Sequence, residues 1–239
     1  WKMKKQEKRV SIKEGYEKWA KSYDIEANPL ILTEEPFLEK LLPYLKKKKA
    51  LDVGCGTGRW TIKLKRKGAY VIGIEPNEAM LKIAKRKYLK IRFQKASIYR
   101  IPFAKESFDF IICALVLVHI ENLDKAIKEM SRVLKKGGTL IISDLSPNIR
   151  KGTKKCWGET IPYFTKKKIY LIKAPIHSLK DYINAFNKAD LELVKLKEIR
   201  LMDSPRAVRN KQIKKSFPSK EEFNKFKRST KFIFHFFWI

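Results

Sequence analysis

The residues best suited to chemistry lie in one short stretch, residues 51–58, which reads LDVGCGTG. Its three glycines alternate with small residues, and glycine lets a ligand lie directly against the main chain. A helical pattern follows at residues 59–65, and the start of a helix offers free N–H groups at the positive end of its dipole. Such a turn can hold a carboxylate or a phosphate, whereas the simpler alternative is a tight turn that binds nothing.

The glycine spacing and one carboxylate narrow the choice of ligand. The dinucleotide fingerprint is G-x-G-x-x-G, but this stretch has G-x-G-x-G, with Asp52 two residues before Gly54. A carboxylate at that position would repel a pyrophosphate and attract an ammonium group. The pattern therefore argues against a nicotinamide-dependent oxidoreductase.

The same stretch resembles the first motif of the class I S-adenosylmethionine-dependent methyltransferases. That motif consists of apolar residues followed by Asp/Glu-x-Gly-x-Gly-x-Gly, and residues 51–58 fit it at every position. The resemblance implies S-adenosylmethionine as the cofactor, with its methionine part held by the loop. The motif residues assigned to this cofactor site are Asp52, Gly54, Cys55, Gly56 and Gly58.

A second carboxylate, Glu75, ends the next predicted strand at residues 70–75. In doubly wound folds an acidic residue about 20 residues past the glycines binds the ribose hydroxyls, and a carboxylate can accept hydrogen bonds from both. A surface glutamate at a strand end is the alternative, although apolar residues precede it. Pro76 ends the strand beside Glu75 and joins the predicted cofactor site.

The third and fourth predicted strands, residues 91–97 and 107–114, supply the rest of the predicted cofactor wall. The segment SIYRIPF resembles the family's D-A-x-x-L-P-F, which places Ser97 and Ile98 at the adenine. Ser97 stands where most relatives carry Asp, so we expect a weaker contact with the adenine amino group. The strand SFDFIICA matches the family's S-F-D-x-V and adds Ala114.

Two histidines are the candidate bases. Methyl transfer from a sulfonium needs in-line alignment and exclusion of water, and no acid or base is mandatory. His119 follows the fourth strand, beside the expected methyl position, where it can also line the cofactor site or serve a structural role. His177 opens a predicted helix that begins at Ser178, so capping and substrate contact are both open to it. The cysteines show no metal-binding spacing, so no metal is expected.

Two segments are predicted to cover the site as a lid. Residues 10–24 have apolar residues at helical spacing and resemble the family's N-terminal WA-x-x-YD segment, which places Tyr23 over the cofactor pocket. Residues 146–180 break the alternation of strands and helices and contain four large aromatic residues, which suits a substrate-covering insertion.

These elements together predict an α/β fold in one domain, a Rossmann-like, doubly wound sheet of seven strands. We expect a sixth strand at residues 191–199 and an antiparallel seventh strand at residues 232–239. The predicted parts are an N-terminal helical lid, a cofactor-binding core, a substrate-side insertion and C-terminal strands, at residues 1–45, 46–145, 146–190 and 191–239.

The chain of 239 residues has a formal net charge of +30, from 55 Lys and Arg against 25 Asp and Glu. This charge can attract nucleic acid or an anionic substrate, or it can reflect a lysine-rich proteome. The lysines are spread along the whole chain, which favours the last alternative. An odd number of cysteines, the absence of a long apolar run and a start without an apolar signal segment suit a cytoplasmic protein.

We expect a methyltransferase that acts on a small molecule, similar to the enzymes of ubiquinone and menaquinone biosynthesis. An RNA-modifying methyltransferase is the main alternative, because of the charge. Against it, the fourth strand lacks the N/D-P-P-Y/F motif of base-amino enzymes, and Cys113 lacks the preceding proline of cytosine-C5 enzymes. The acceptor atom stays open among O, N, S and C.

Overall fold

The computed structural model describes residues 6–25, 28–145, 160–164 and 168–199. The helices and strands of these residues are, in chain order, β1 (Gln6–Val10), α1 (Ile12–Trp19), α2 (Pro29–Leu41), β2 (Lys49–Val53), α3 (Arg59–Arg66), β3 (Tyr70–Glu75), α4 (Glu78–Lys87), β4 (Arg92–Lys95), β5 (Phe108–Ala114), α5 (Leu123–Val133), β6 (Leu134–Ser143), β7 (Thr160–Phe164), β8 (Lys168–Lys173) and α6 (Leu179–Lys188). None of the helices in this part of the chain has the length and apolar character that crossing a membrane requires.

The larger of the two sheets in the described residues has the strand order β4-β3-β2-β5-β6, and every neighbouring pair in it is parallel. The chain enters this core sheet at β2, moves outward to β4, and then returns to the other side of β2 through β5 and β6. This reversal is the switch point of a doubly wound fold, where ligands bind beyond the carboxyl ends of the strands. The predicted Rossmann-like parallel sheet is therefore confirmed for these strands.

Both faces of the core sheet are buried, as its nearly unbroken apolar strands predict. Residues of β5 fall alternately into two clusters on opposite faces, for example Phe110 into one and Ile111 into the other. Helix α5 packs against the second cluster through residues at helical spacing, which are Leu123, Ala126, Ile127, Met130 and Val133. This packing fixes the strand ends on which the site residues stand.

The smaller sheet, in the order β1-β8-β7, joins the start of the chain to a late segment. Strand β1 pairs in parallel with β8, and β7 is antiparallel to β8. Helix α1 packs against β8 at Gly15, where an added Cβ would lie 2.5 Å from Cγ1 of Ile172. Glycine weakens a helix by about 1 kcal/mol relative to alanine, and here it lets α1 lie directly against the smaller sheet.

The predicted lid segments differ in detail from the observed elements. The helical spacing over residues 10–24 corresponds to a shorter helix, Ile12–Trp19, because β1 precedes it and Ser11 caps its start. The region expected to be irregular contains the hairpin of β7 and β8. Residues 146–159, with Trp157, lie outside the described residues.

The predicted sixth strand, residues 191–199, is not observed, because only Lys195 in this range makes a β-bridge and no continuous strand forms. Leu191 packs into the cluster on one face of the core sheet and Ile199 into the cluster on the other, while Val194 between them is 61% exposed. Leu191 and Ile199 are eight positions apart and would lie on the same face of a regular strand, so their placement on opposite faces does not fit one. The predicted seventh strand, residues 232–239, lies outside the described residues.

Candidate active site

A cavity of about 460 Å³ opens at the switch point, beyond the carboxyl ends of β2, β3 and β5. Its walls come from the glycine turn after β2, the end of β3, the segment after β4 and the loop after β5, and α1 covers it. A cavity of this size is typical of small-molecule sites. The predicted site residues that line it are Tyr23, Gly54, Gly56, Glu75, Pro76, Ser97, Ile98, Ala114 and His119.

The turn after β2 depends on its glycines. Gly54, Gly56 and Gly58 have φ values of +69°, +55° and +89°, in a left-handed region that other residues rarely adopt. A Cβ on Gly54 would also lie 2.4 Å from Cγ2 of Val116. The turn therefore presents bare main chain to the cavity at Gly54 and Gly56.

Glu75 faces the cavity from the end of β3 and also holds the glycine turn in place. Its Oε2 accepts a hydrogen bond of 3.0 Å from the N–H of Gly56, and its Oε1 accepts one of 2.9 Å from the N–H of Asn77. Burial raises the pKa of this carboxyl, and the two N–H groups oppose that rise. Because each carboxylate oxygen has two acceptor sites, Glu75 can still receive two hydroxyl groups of a ligand.

Asp52 lies behind the glycine turn and is not part of the cavity wall, so its contact with an ammonium group stays a prediction. The residue is 2% exposed, and its Oδ2 accepts a hydrogen bond of 2.6 Å from Oγ1 of Thr61 in α3. Burial raises the pKa of Asp52 to about 7, although Thr61 and Arg59 lower it. The carboxyl group therefore ties α3 to β2.

Cys55 and Gly58 also lie outside the cavity wall, and their contacts with a cofactor likewise stay predictions. Cys55 is buried with Leu81 and Phe93 beneath the turn, and this burial raises the pKa of its thiol. Gly58 is the N-cap of α3, and a Cβ there would lie 3.1 Å from the rings of Tyr88 and Phe93. Both residues shape the turn from behind.

The wall after β4 is largely apolar. Ser97 and Ile98 line it, together with Tyr99 and Met80, which the sequence analysis missed. The Ser97 hydroxyl accepts a hydrogen bond of 3.2 Å from the N–H of Tyr99, so it is partly engaged within its own loop. The helical spacing of apolar residues in α4 predicts that Met80 is buried, but it does not indicate that Met80 faces a cavity.

Helix α1 and the residues after it form the cover of the cavity. Asn77 donates a hydrogen bond of 3.1 Å from Nδ2 to the carbonyl oxygen of Lys13. Thr57, in the glycine turn, donates one of 2.6 Å to Asp24. Tyr23, next to Asp24, lines the cavity, and burial raises its pKa to about 12. The cover is therefore fastened to both α4 and the glycine turn.

Tyr16 and His119 form a hydrogen-bonded pair on the cavity wall. The Tyr16 hydroxyl oxygen lies 2.7 Å from Nε2 of His119, and Nδ1 of His119 lies 3.2 Å from the carbonyl oxygen of Lys173. A carbonyl only accepts hydrogen bonds, so in a neutral ring the imidazole proton lies on Nδ1 and Tyr16 donates to Nε2. His119 thus lines the cavity, and Tyr16 is a neighbour that the sequence analysis missed.

His177, the second candidate base, stands apart from this cavity. Its Nε2 donates a hydrogen bond to the carbonyl oxygen of Ile120, and it faces a second cavity beside Asp181 of α6. Ser178 and Asp181 form a capping box at the start of α6. The structure therefore does not bring the two candidate bases together, and His177 instead holds the loop that follows His119.

Comparison with known proteins gives matches centred on the core. Residues 51–142 match a family model described as a methyltransferase domain. Over 117 residues the chain is 31% identical to a ubiquinone/menaquinone biosynthesis C-methyltransferase of Campylobacter jejuni, covering 46% of this chain and 50% of that protein. The chain spans about half the length of the curated relatives it matches.

Solved structures share the fold over most of the chain. An S-adenosylmethionine-dependent methyltransferase from Mesorhizobium loti has a TM-score of 0.64 at 18% identity, covering 86% of this chain and 96% of its own. A chain of the solved complex that contains the Haloferax volcanii Trm112 methyltransferase activator has a TM-score of 0.71 at 19% identity, covering 95% and 96%. At these identities the likeness shows the fold.

Proposed function

We propose that this protein transfers a methyl group to a small-molecule acceptor. Through residues 51–142 the chain belongs to the class I S-adenosylmethionine-dependent methyltransferases. S-adenosylmethionine is the cofactor of this domain. One observation carries the proposal. The glycine turn, Glu75 and the pair of Tyr16 and His119 all line one cavity.

The residues around the cavity fit this cofactor. Gly54 and Gly56 leave the main chain bare where a ligand approaches, and a side chain at Gly54 would clash with Val116. Glu75 offers its carboxylate to the two ribose hydroxyls, while the apolar wall around Ile98 suits an adenine. The proposed cofactor contacts are Tyr23, Gly54, Gly56, Glu75, Pro76, Ser97, Ile98 and Ala114.

When bound, the cofactor supplies an electrophilic methyl group on a sulfonium sulfur. The contribution of the chain is to align an acceptor with that group and to keep water out, and alignment alone can lower a barrier by about 7–11 kcal/mol. The cover serves both purposes, because Tyr16 and Tyr23 line the cavity from it and Asp24 fastens it to the glycine turn.

The apolar residues that line the cavity support a small acceptor rather than a nucleic acid. They include Ile12, Val116 and Ile120, and a concave apolar wall suits a drug-sized ligand better than a phosphate backbone. An RNA site would need basic residues and exposed rings gathered in an open stripe. The quinone C-methyltransferase among the relatives points in the same direction.

Two measurements test the proposal. Calorimetry should show binding of S-adenosylhomocysteine and none of NAD, and the reverse result would refute the cofactor assignment. Labelled methyl groups should pass to one of a panel of phenols, quinols, amines and thiols. Transfer to total tRNA or rRNA while that panel stays silent would contradict the small-molecule acceptor, as would a steep loss of activity between about 50 and 200 mM salt.

A further inference from the structure

Because Tyr16 and His119 are hydrogen-bonded to each other, a molecule in the cavity reaches the imidazole through the Tyr16 hydroxyl group. A neutral imidazole has one nitrogen that donates and one that accepts, and here Nδ1–H points to the carbonyl of Lys173. The accepting nitrogen, Nε2, already receives the Tyr16 hydroxyl at 2.7 Å. A ligand therefore meets the Tyr16 oxygen, whose lone pairs can accept a hydrogen bond while its own proton points to His119.

We propose that Tyr16 and His119 form a proton relay that deprotonates the acceptor, an inference that rests on the methyl transfer proposed above. The X–H group of the acceptor donates to the Tyr16 oxygen. As its proton moves to that oxygen, the Tyr16 proton moves to Nε2 of His119. The electron pair of the broken X–H bond stays on X, the atom to be methylated or the group that activates it.

The charges balance at the end of this step. Tyr16 is again a neutral phenol, X carries the negative charge, and His119 is an imidazolium. Its Nδ1–H then donates a charge-assisted hydrogen bond to the carbonyl of Lys173, which stabilises the cation. After the product leaves, His119 returns its proton through Tyr16 to water, and the pair is restored.

The surroundings of Tyr16 explain why a relay is needed. Burial raises the pKa of Tyr16 well above its usual value, and Tyr23, Glu75 and Asp144 raise it further. These are the titratable groups that face it from the cover, from β3 and from the end of β6. A tyrosinate is thus unfavourable at this position, so Tyr16 accepts a proton only while it passes one on to His119.

The relay also defines the chemical class of the acceptor. A general base accelerates the reaction of groups that stay protonated at neutral pH and must lose a proton to react, such as phenols and hydroquinones. A ring of this kind suits a cavity whose lining includes the apolar side chains of Ile12, Val116 and Ile120. A thiol gains less, because part of it is already ionised at neutral pH.

Matched variants test the relay with a simple phenol and a hydroquinone as acceptors. Tyr16→Phe keeps the ring and removes the hydroxyl, while His119→Gln keeps an acceptor atom for Tyr16 but cannot hold a proton. Each is expected to lower kcat about 100-fold, and the double variant about as much, because the two residues act as one unit. Tyr70→Phe, at the exposed start of β3 and outside the cavity wall, should keep the wild-type kcat.

A second readout needs no turnover. Nitrogen-15 NMR of labelled histidine, with the His119 signal assigned from its loss in His119→Gln, should show a neutral ring protonated at Nδ1. The Nε2 signal should shift in Tyr16→Phe, which removes its donor. A ring protonated at Nε2, or a wild-type kcat in Tyr16→Phe, would overturn the relay.

Binding of S-adenosylhomocysteine separates this inference from the proposed function. If the wild-type protein fails to bind it, the methyltransferase function itself is refuted. If binding is intact in every variant but neither the phenol nor the hydroquinone is methylated, the acceptor class and the relay are overturned while the cofactor assignment stands.

Discussion

Thr57 and Asp24 join the glycine turn to the cover of the cavity, because the Thr57 hydroxyl donates a hydrogen bond of 2.6 Å to Oδ1 of Asp24. Lys87 of α4 contacts both partners, with its Nζ 2.8 Å from Oδ2 of Asp24 and 3.2 Å from the carbonyl oxygen of Thr57. The turn that forms one wall of the cavity thus also holds the opposite wall. Opening of the cover requires this contact to break.

Asp24→Ala is expected to loosen the cover and speed ligand exchange. The carboxylate is partly exposed, so we expect a loss of about 1 kcal/mol, which corresponds to a roughly fivefold faster dissociation of S-adenosylhomocysteine. Stopped-flow fluorescence measures this rate. Glu17→Ala removes a carboxylate from the same segment whose partner, Lys13, is 3.9 Å away, and should leave the rate unchanged. Equal rates for the two variants would contradict the role of Asp24.

Glu75→Ala is expected to weaken the binding of S-adenosylhomocysteine by about 1.5–3 kcal/mol, the range for a hydrogen bond to a charged group. The variant also frees the N–H of Gly56, so the turn loses its contact with β3. Isothermal titration calorimetry gives the loss directly. Glu78→Ala is the control, because that exposed carboxylate pairs with Lys95 outside the cavity. An unchanged affinity in Glu75→Ala would rule out the ribose contact.

Asp52 should make the free energy of unfolding depend on pH. Its pKa is about 7 in the folded protein against an ordinary value of 3.8. Between these values the folded state holds a proton that the unfolded state has released, so this contribution to stability is lost as pH rises from about 4 to about 7. The full change is on the order of 4 kcal/mol. Asp52→Asn has no carboxyl group to titrate at this position. As pH rises over this range, the free energy of unfolding of the wild type should therefore fall relative to that of the variant.

Urea unfolding at several pH values measures that difference, and Asp109→Asn provides a control of opposite sign. Burial raises the pKa of Asp109, but the hydrogen bonds from Lys135 and from the N–H of Lys49 lower it further, so the balance is a lowered pKa. The contribution of Asp109 to the free energy of unfolding is therefore lost as pH falls. If the difference in the free energy of unfolding between the wild type and Asp52→Asn does not change with pH, Asp52 is ionised throughout this pH range.

Gly15→Ala should destabilise the protein although alanine favours helices. The new Cβ would lie 2.5 Å from Cγ1 of Ile172, so α1 must move away from β8. We expect a lower melting temperature by circular dichroism and faster dissociation of S-adenosylhomocysteine. Ile172→Ala makes room for the added methyl group, so Gly15→Ala should cost less stability when introduced into Ile172→Ala than into the wild type. An equal cost in both backgrounds would mean that the clash is not the cause.

The parts of the site that could be predicted are those encoded in contiguous residues. The left-handed turn follows from alternating glycines after an apolar strand, and Glu75 follows from an acidic residue at the end of the next such strand. These local patterns place Gly54, Gly56 and Glu75 on one cavity wall because parallel strands end at the same edge of the sheet.

The parts that could not be predicted depend on contacts between distant residues. Tyr16 and His119 are 103 positions apart, and no local sequence pattern around either residue predicts that they form a pair. The direction of the Asp52 side chain is set by Thr61 on a helix whose packing is known only from the fold. The pairing of β1 with β8 is non-local as well, so the smaller sheet had no signal in the sequence.

The parallel pairing of β1 with β8 also sets an order of events during synthesis. All strands of the core sheet, from β2 to β6, leave the ribosome before β8 does. A growing chain can therefore build the glycine turn and the Glu75 wall while α1 still lacks the strand that supports it. The nascent protein passes through a stage with an open cleft, and the Lys173 carbonyl that orients His119 is the last of these contacts to be translated.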